Sequence, residues 1–358
     1  LDIVARFEIP YFQILNEKSQ LITDLPSFAK DSNHLLRLYR LMVLNRTFDT
    51  KAIALQRTGK MGTYPSTRGQ EAVFVGMGDA LEKNDIFAPY YRDVATMLQR
   101  GVSLTEILLY WGGDERGNCF HSGGTDFPYS VPIGTQALHA AGAATAVKIK
   151  HEKRAVLTTI GDGGTSEGDF YEAMNLAGAW ELPIVFVVSN NQWAISVPRS
   201  AQSGAKTLAQ KAIAAGFSGE QVDGNDVIAV RERVAVALQK ARDSNTPTLL
   251  EMLTYRHHDH TTADDASRYE PKNSREQEWV KEPISRLKKY LEINKQWSVE
   301  DEEKLMAECA AEVDKVVEAY LTTPPAPPEA MFDYLYATLP TAYAEQREKI
   351  KNLGEAHG

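Results

Sequence analysis

Two short apolar runs limit what this chain can fold into: AVLTTI at 155–160 and IVFVVS at 184–189. Neither reads as apolar alternating with polar, so each predicts a strand covered on both faces, as in a parallel sheet between helix layers. Between them Phe170, Ala173, Met174 and Ala177 recur at spacings of three and four, which predicts a helix over 168–181 with those side chains inward. Strand, helix and strand in that order make one βαβ unit. The rhythm continues with a helix at 205–215, a short EQVDG segment at 220–224, and a helix from Asp226 that turns Val227, Val230, Val234, Ala237 and Leu238 inward. A buried strand, TLLEMLTY at 248–255, closes the series. Such alternation predicts an α/β fold, a doubly wound and mostly parallel sheet.

Three segments follow from the change of character along the chain. Residues 1–32, with Pro10 and Pro26, predict an extended N-terminal arm, and 33–270 the α/β domain. Within that domain Leu38, Leu41, Met42, Asn45 and Phe48 share one helical face, and SLTE at 103–106 has the form of a capping box. The small residues of GTQALHAAGAATAVKIK, 134–150, predict a helix lying close on the sheet. Residues 271–358 predict a helical C-terminal extension, with Pro283 at a first helical position, SVED at 298–301 opening a long charged helix to about Tyr320, and TTPPAPP at 322–328 as a stiff spacer. Met331, Phe332, Leu335 and Tyr336 are expected to pack the tail against a surface.

Composition excludes several classes of partner. The formal charge of −9 argues against nucleic acid, which favours a basic face. Purely apolar stretches such as Ile184–Val188 fall far short of the roughly 20 residues of a membrane span. Cys119 and Cys309 stand too far apart in sequence for a CxxC pair and suggest neither disulfide framework nor thiolate metal site, which fits a reducing compartment.

Chemistry concentrates where the two strands end. GDGGTSEGDF at 161–170 follows the first, and SNNQWAIS at 189–196 includes the end of the second. Ligands of open α/β sheets bind beyond the carboxyl ends of strands, so both turns face one crevice. Asp162 offers an anionic oxygen and Asn191 an amide oxygen, donors that suit Mg2+, which completes its octahedron with phosphate and water. Gly161 and Gly163 leave room for a diphosphate beside the backbone. Each turn taken singly is equally an ordinary tight turn, since Gly and Asn both tolerate left-handed backbone; their joint placement favours the metal–diphosphate reading. His257, His258 and His260 also invite a transition-metal reading, but no cysteine or second histidine group stands near them in sequence.

The pair GDG and NN, with 164–189 between them, resembles the thiamin diphosphate motif. More closely, TYPSTRGQEA (63–72), PYYRDV (89–94), IGTQ (133–136), GDGGTSEGDFYEAMNLAGAW (161–180), NNQWAISVP (190–198) and YRHHDHTTADDASRY (255–269) resemble the alpha subunit of the decarboxylating component of 2-oxo acid dehydrogenase complexes, in order and over nearly the whole chain. The resemblance implies a thiamin diphosphate-binding fold. It implies Asp162, Asn191 and the main-chain carbonyl of Trp193 as Mg2+ ligands. Tyr91, Arg92, Gly163 and Gly164 would contact the cofactor, with Ile133 wedged between its two rings. His260 would stand near the diphosphate and reaction centre, binding an anion, donating to the substrate carboxylate or moving a proton. His257 and His258 read as loop or hinge residues. Thr261 stands where some relatives carry a phosphorylated serine, so kinase control is not expected. Ser189 stands where branched-chain relatives carry an arginine.

The activity so implied is oxidative decarboxylation of a 2-oxo acid, with transfer of the acyl group to lipoyl on an acyltransferase component. Pyruvate is favoured over branched-chain 2-oxo acids; an acetoin dehydrogenase alpha subunit, a transketolase-like enzyme and a non-enzymatic scaffold are the alternatives. The catalytic glutamate of this family comes from a beta subunit, so the resemblance implies a site assembled from two alpha and two beta chains. Expected locations are the bacterial cytoplasm or the mitochondrial matrix.

Overall fold

Backbone pairing in the computed structural model, which describes residues 1–122, 124–333 and 335–357, builds a six-stranded sheet. In chain order the strands are β1 (Tyr11–Phe12), β2 (Ile86–Ala88), β3 (Val156–Gly161), β4 (Ile184–Asn190), β5 (Trp193–Ala194), β6 (Val197–Pro198), β7 (Ser218–Asp223) and β8 (Thr248–Leu253). The sheet runs β1-β7-β8-β4-β3-β2, every neighbouring pair parallel, while β5 and β6 form a separate antiparallel ribbon.

The period of two along a strand sends alternate side chains to opposite helix layers. Val156, Ile160, Ile184, Phe186 and Val188 meet the helices Thr135–Ile149 and Gly168–Ala179. Leu157, Val185, Val187, Leu250 and Met252 face the other way, toward Glu71–Ala80 and Val227–Ser244, with the long helix Ser32–Arg57 in the same core. Small residues decide how closely one layer sits: a Cβ on Gly178 would lie 1.7 Å from the Ala215 carbonyl oxygen, so only glycine fits there. Helix starts follow their caps. Ser103 and Glu106 close a capping box, Ser298 and Asp301 another, and Asp226 accepts the N–H groups of Ile228 and Ala229.

Several elements differ from the sequence reading. The N-terminal stretch supplies an edge strand, Tyr11 pairing with Gln221, and buries Ile14 and Leu15. Asp226 fixes it there by accepting the Ile14 and Leu15 N–H groups at 2.8 and 2.6 Å. The helix expected at 205–215 contracts to Lys211–Ala214. Thr207 and Gln210 cap each other across the turn before it, and the Ala209 N–H is drawn 2.9 Å to the Glu251 carboxylate. Strand β2 and helix Glu71–Ala80 carried no distinct sequence signal.

In the C-terminal region the helices Pro283–Ile293 and Val299–Thr322 pack Leu287, Leu291, Leu305 and Cys309 into the core shared with Ser32–Arg57. Of the four tail residues expected to pack, Phe332 is buried; Met331, Leu335 and Tyr336 are about half exposed. Both cysteines are free. Among the described residues no helix is long and apolar enough to cross a membrane.

Candidate active site

Strands β3 and β4 end abreast, Gly161 opposite Ser189, so the turns that follow open on one side of the sheet. A cleft of about 190 Å³ lies there. Tyr91, Arg92, Ile133, Asp162, Gly163, Gly164, Asn191, Trp193 and His260, all singled out from sequence, line it together. A larger recess of about 750 Å³ lies beyond Trp193, between β7, β8 and the loop after Tyr269; Trp193 is the one residue of those nine that borders it.

Asp162 occupies the first position after β3 and is 2% exposed. Its Oδ2 has no hydrogen-bond partner among the described residues. Burial pushes its carboxyl up to about 6, against the opposing pull of nearby main-chain N–H groups and the Arg256 guanidinium. A buried carboxylate oxygen with nothing to accept from is costly unless a cation meets it.

Asn191 is buried one turn away. Its Nδ2 donates to Gln70 Oε1 at 3.1 Å and its Oδ1 accepts the Trp193 N–H at 3.2 Å. The first asparagine of the pair has a different task. Asn190 Nδ2 donates to Glu251 at 2.7 Å, and its Oδ1 accepts the Gln192 N–H at 3.2 Å. That bond holds Gln192 in left-handed backbone, φ 73°, and bends the chain so that Trp193 returns to the cleft. One carboxylate and one amide oxygen at adjoining strand ends are the hard donors that fit Mg2+. The three histidines do not converge: among the described residues no group of three His, Cys, Asp or Glu could hold a metal.

Arg92 lines the same cleft as Asp162, and Arg256 stands beside it at His260. Arg92, 1% exposed, donates to the carbonyls of Ser66 at 2.6 Å and His260 at 2.7 Å, and to His260 Nδ1 at 2.9 Å. Arg256, equally buried, donates to the carbonyls of His258 and Ile195 and to the Tyr269 hydroxyl, and its Nη1 stands 3.5 Å from His260 Nδ1. Neither guanidinium is ion-paired with a carboxylate among the described residues. Two cations aimed at Nδ1 assign the tautomer: Nδ1 accepts and Nε2 carries the proton. Burial, reinforced by Arg92 and then Arg256, pushes the His260 imidazole down to about 3. His260 is therefore a neutral Nε2–H donor at neutral pH. The loop that carries it is tied by Asp264, which accepts the His260 N–H at 2.7 Å and the Tyr269 hydroxyl.

Ile133 is no core residue. It is 45% exposed at the cleft edge, followed by Gly134 at φ 89°, and a Cβ on Gly164 would stand 2.9 Å from its Cγ2. Val131 and Ile195 are also exposed and line the cleft. Sequence reasoning missed Gln70 and Arg256. Both lie inside the quoted segments TYPSTRGQEA and YRHHDHTTADDASRY, but no spacing marks them: Gln70 meets Asn191 from 121 residues away, and Arg256 meets its loop neighbours and Ile195 only once the chain is folded.

A parallel α/β sheet with this cleft at its carboxyl edge defines an α/β protein with a ligand site at the strand ends, and the arrangement is consistent with a thiamin diphosphate-binding fold. Residues 39–329 match the model of the family described as Dehydrogenase E1 component. The pyruvate dehydrogenase E1 component subunit alpha of Acholeplasma laidlawii is 41% identical over 348 residues, covering 96% of this chain and 98% of that protein. The proteins of the same name from Bacillus cereus and Bacillus subtilis are 40% and 39% identical, covering 98% and 94% of this chain and 94% and 91% of their own. The chain belongs to the Dehydrogenase E1 component family, as an alpha subunit of a 2-oxo acid-decarboxylating oxidoreductase.

Proposed function

We propose that the chain forms one half of a pyruvate dehydrogenase site that uses thiamin diphosphate and Mg2+ and passes the acetyl group to lipoyl on an acyltransferase component. The orphaned, buried Asp162 Oδ2, in a cleft it shares with Arg92 and His260, carries this reading. Asp162, the Asn191 amide and the Trp193 carbonyl would hold the cation. Arg92, Tyr91 and the glycines at 163 and 164 would take the diphosphate, with Ile133 under the rings. When bound, thiamin diphosphate supplies the carbanion chemistry that removes carbon dioxide from a 2-oxo acid.

His260 is the catalytic residue we assign to this chain, and its role is narrowed by its chemistry. An imidazole held neutral by burial and by two guanidiniums cannot keep a second proton, so it donates Nε2–H to an anion, the substrate carboxylate or the diphosphate, rather than acting as an imidazolium acid. The exposed Val131, Ile133 and Ile195 at the cleft favour a covering partner. We propose a beta subunit there, in an assembly of two alpha and two beta chains that works in a bacterial cytoplasm. Pyruvate is preferred to branched-chain substrates, a choice supported by relatives named as pyruvate dehydrogenase subunits; Ser189, at the branched-chain arginine position, makes no diphosphate contact and donates to Gln70 Oε1 at 3.0 Å.

The test is turnover by the full chain co-expressed with its beta partner. Lipoyl-dependent oxidation of pyruvate should exceed that of 3-methyl-2-oxobutanoate and acetoin, and the alpha chain alone should be inactive. Preference for acetoin would move the chain to the acetoin-cleaving enzymes. Absence of any thermal shift with thiamin diphosphate and Mg2+ would remove the enzymatic reading.

A further inference from the structure

An amide is nearly symmetric in shape but opposite in chemistry at its two ends: only the oxygen can bind a cation. A ligand asparagine therefore needs something to decide which end faces the metal. In this protein that decision comes from outside the two motif turns. Gln70, 0% exposed at the start of helix Glu71–Ala80, accepts from the Asn191 Nδ2 at 3.1 Å and from the Ser189 hydroxyl at 3.0 Å. Its own Nε2 has no partner among the described residues. A buried amide whose oxygen is used twice and whose N–H groups are unused is a poor arrangement for stability. It is a sensible one for orientation.

Turning Gln70 over would face N–H against N–H at Asn191. Relief would require Asn191 to turn as well, placing its N–H groups where the cation is expected and its nitrogen against the Trp193 N–H. The two amides are thus mechanically coupled, and the Trp193 N–H at 3.2 Å from Oδ1 locks the same choice from the other side. Ser189 cannot make that choice, because a hydroxyl both donates and accepts.

We propose that Gln70 is the positioning residue that turns the Asn191 amide oxygen toward the divalent cation. The inference rests on the cation site proposed above and deepens it.

The test is a Mg2+ titration of the full chain, co-purified with its beta subunit, at fixed thiamin diphosphate, followed by calorimetry and melting temperature. Gln70→Met matches the shape but lacks the acceptor, and should need roughly 10–100-fold more Mg2+, the usual effect of losing an outer partner of a metal ligand. Ca2+, whose shell is more flexible, should lose less. Gln70→Glu keeps an acceptor for the Asn191 N–H and should stay within about threefold of wild type. In an Asn191→Asp background, where either end is oxygen, the Gln70→Met penalty should vanish. Gln70→Ala replaces Gln70→Met should the latter not fold, and is read the same way. Wild-type Mg2+ dependence in Gln70→Met, or an equal loss in Gln70→Glu, overturns the proposal. A wild-type protein that binds no thiamin diphosphate with Mg2+ overturns the functional reading instead.

Discussion

Replacing Gly161 by alanine separates what the turn does for folding from what it does for a ligand. Gly161 has no positive φ, and a Cβ built there meets only Tyr90 Cε2, at 3.9 Å. The cofactor-free protein has room for the methyl group. Because alanine restricts the unfolded chain, Gly161→Ala should raise stability by about 0.4–1 kcal/mol. The same methyl points into a cleft lined by Asp162 and Gly163. If a diphosphate closes on that backbone, one extra carbon in a filled site costs about 1–3 kcal/mol, which is a roughly 5- to 150-fold loss of affinity. Stability and affinity should therefore move in opposite directions. Gly163→Ala is the contrast: its Cβ would lie 2.7 Å from the Ala194 Cβ, so it should lower both. Urea denaturation without ligand, and calorimetric titration with thiamin diphosphate and Mg2+, measure the two quantities. Unchanged affinity in a folded Gly161→Ala protein would refute the close approach of the diphosphate to this turn.

Three further outcomes are expected. Asp162 must be ionised to hold a cation and its carboxyl is pushed up to about 6, so Mg2+ affinity should be level above that pH and fall about tenfold per unit below it; a level profile down to pH 5 counts against Asp162 as a ligand. The raised value also means that folding disfavours the ionised form, a cost present above about 6 and absent below the ordinary carboxylate range. Asp162→Asn should thus add up to about 3 kcal/mol to cofactor-free stability at pH 8 and nothing at pH 3.5, while abolishing Mg2+ dependence. Ile133→Ala removes a half-exposed side chain, so stability should change by less than about 0.5 kcal/mol, yet cofactor affinity should fall roughly 5- to 30-fold if the side chain is buried by the ligand.

The middle of the fold was legible because local and global signals agree there. The runs at 155–160 and 184–189 are apolar on both faces, and the sheet buries both faces of β3 and β4. Asp226, Ser103 and Ser298 announce helix starts through contacts within three residues. Legibility ends where distant residues decide. Strand β1 is two residues long and exists because carboxylates more than 200 residues away hold it: Asp226 takes the N–H groups of Ile14 and Leu15, and Asp223 takes the Gln13 amide. A helix is expected over 205–215, but a cap at Thr207 and the buried Glu251 claim its first turn. In the site, the turns themselves could be read from GDG and NN. The orientation of Asn191 by Gln70 and the neutral state of His260 could not, since each depends on a partner brought in by another segment.

Two guanidiniums shut away from water, with no ion-paired carboxylate among the described residues and only the fields of Asp264 and Glu270 offsetting the charge of Arg256, carry like-charge strain within the protein. Whatever anion relieves that strain ties folding to its own supply: at a hundred times Kd the folded state gains about 2.7 kcal/mol. A cell starved of thiamin would then lose this subunit to its proteases before any dedicated regulator acted. Pulse-chase half-lives with and without the vitamin would read that coupling directly, and the protein's abundance would serve as its own nutritional gauge.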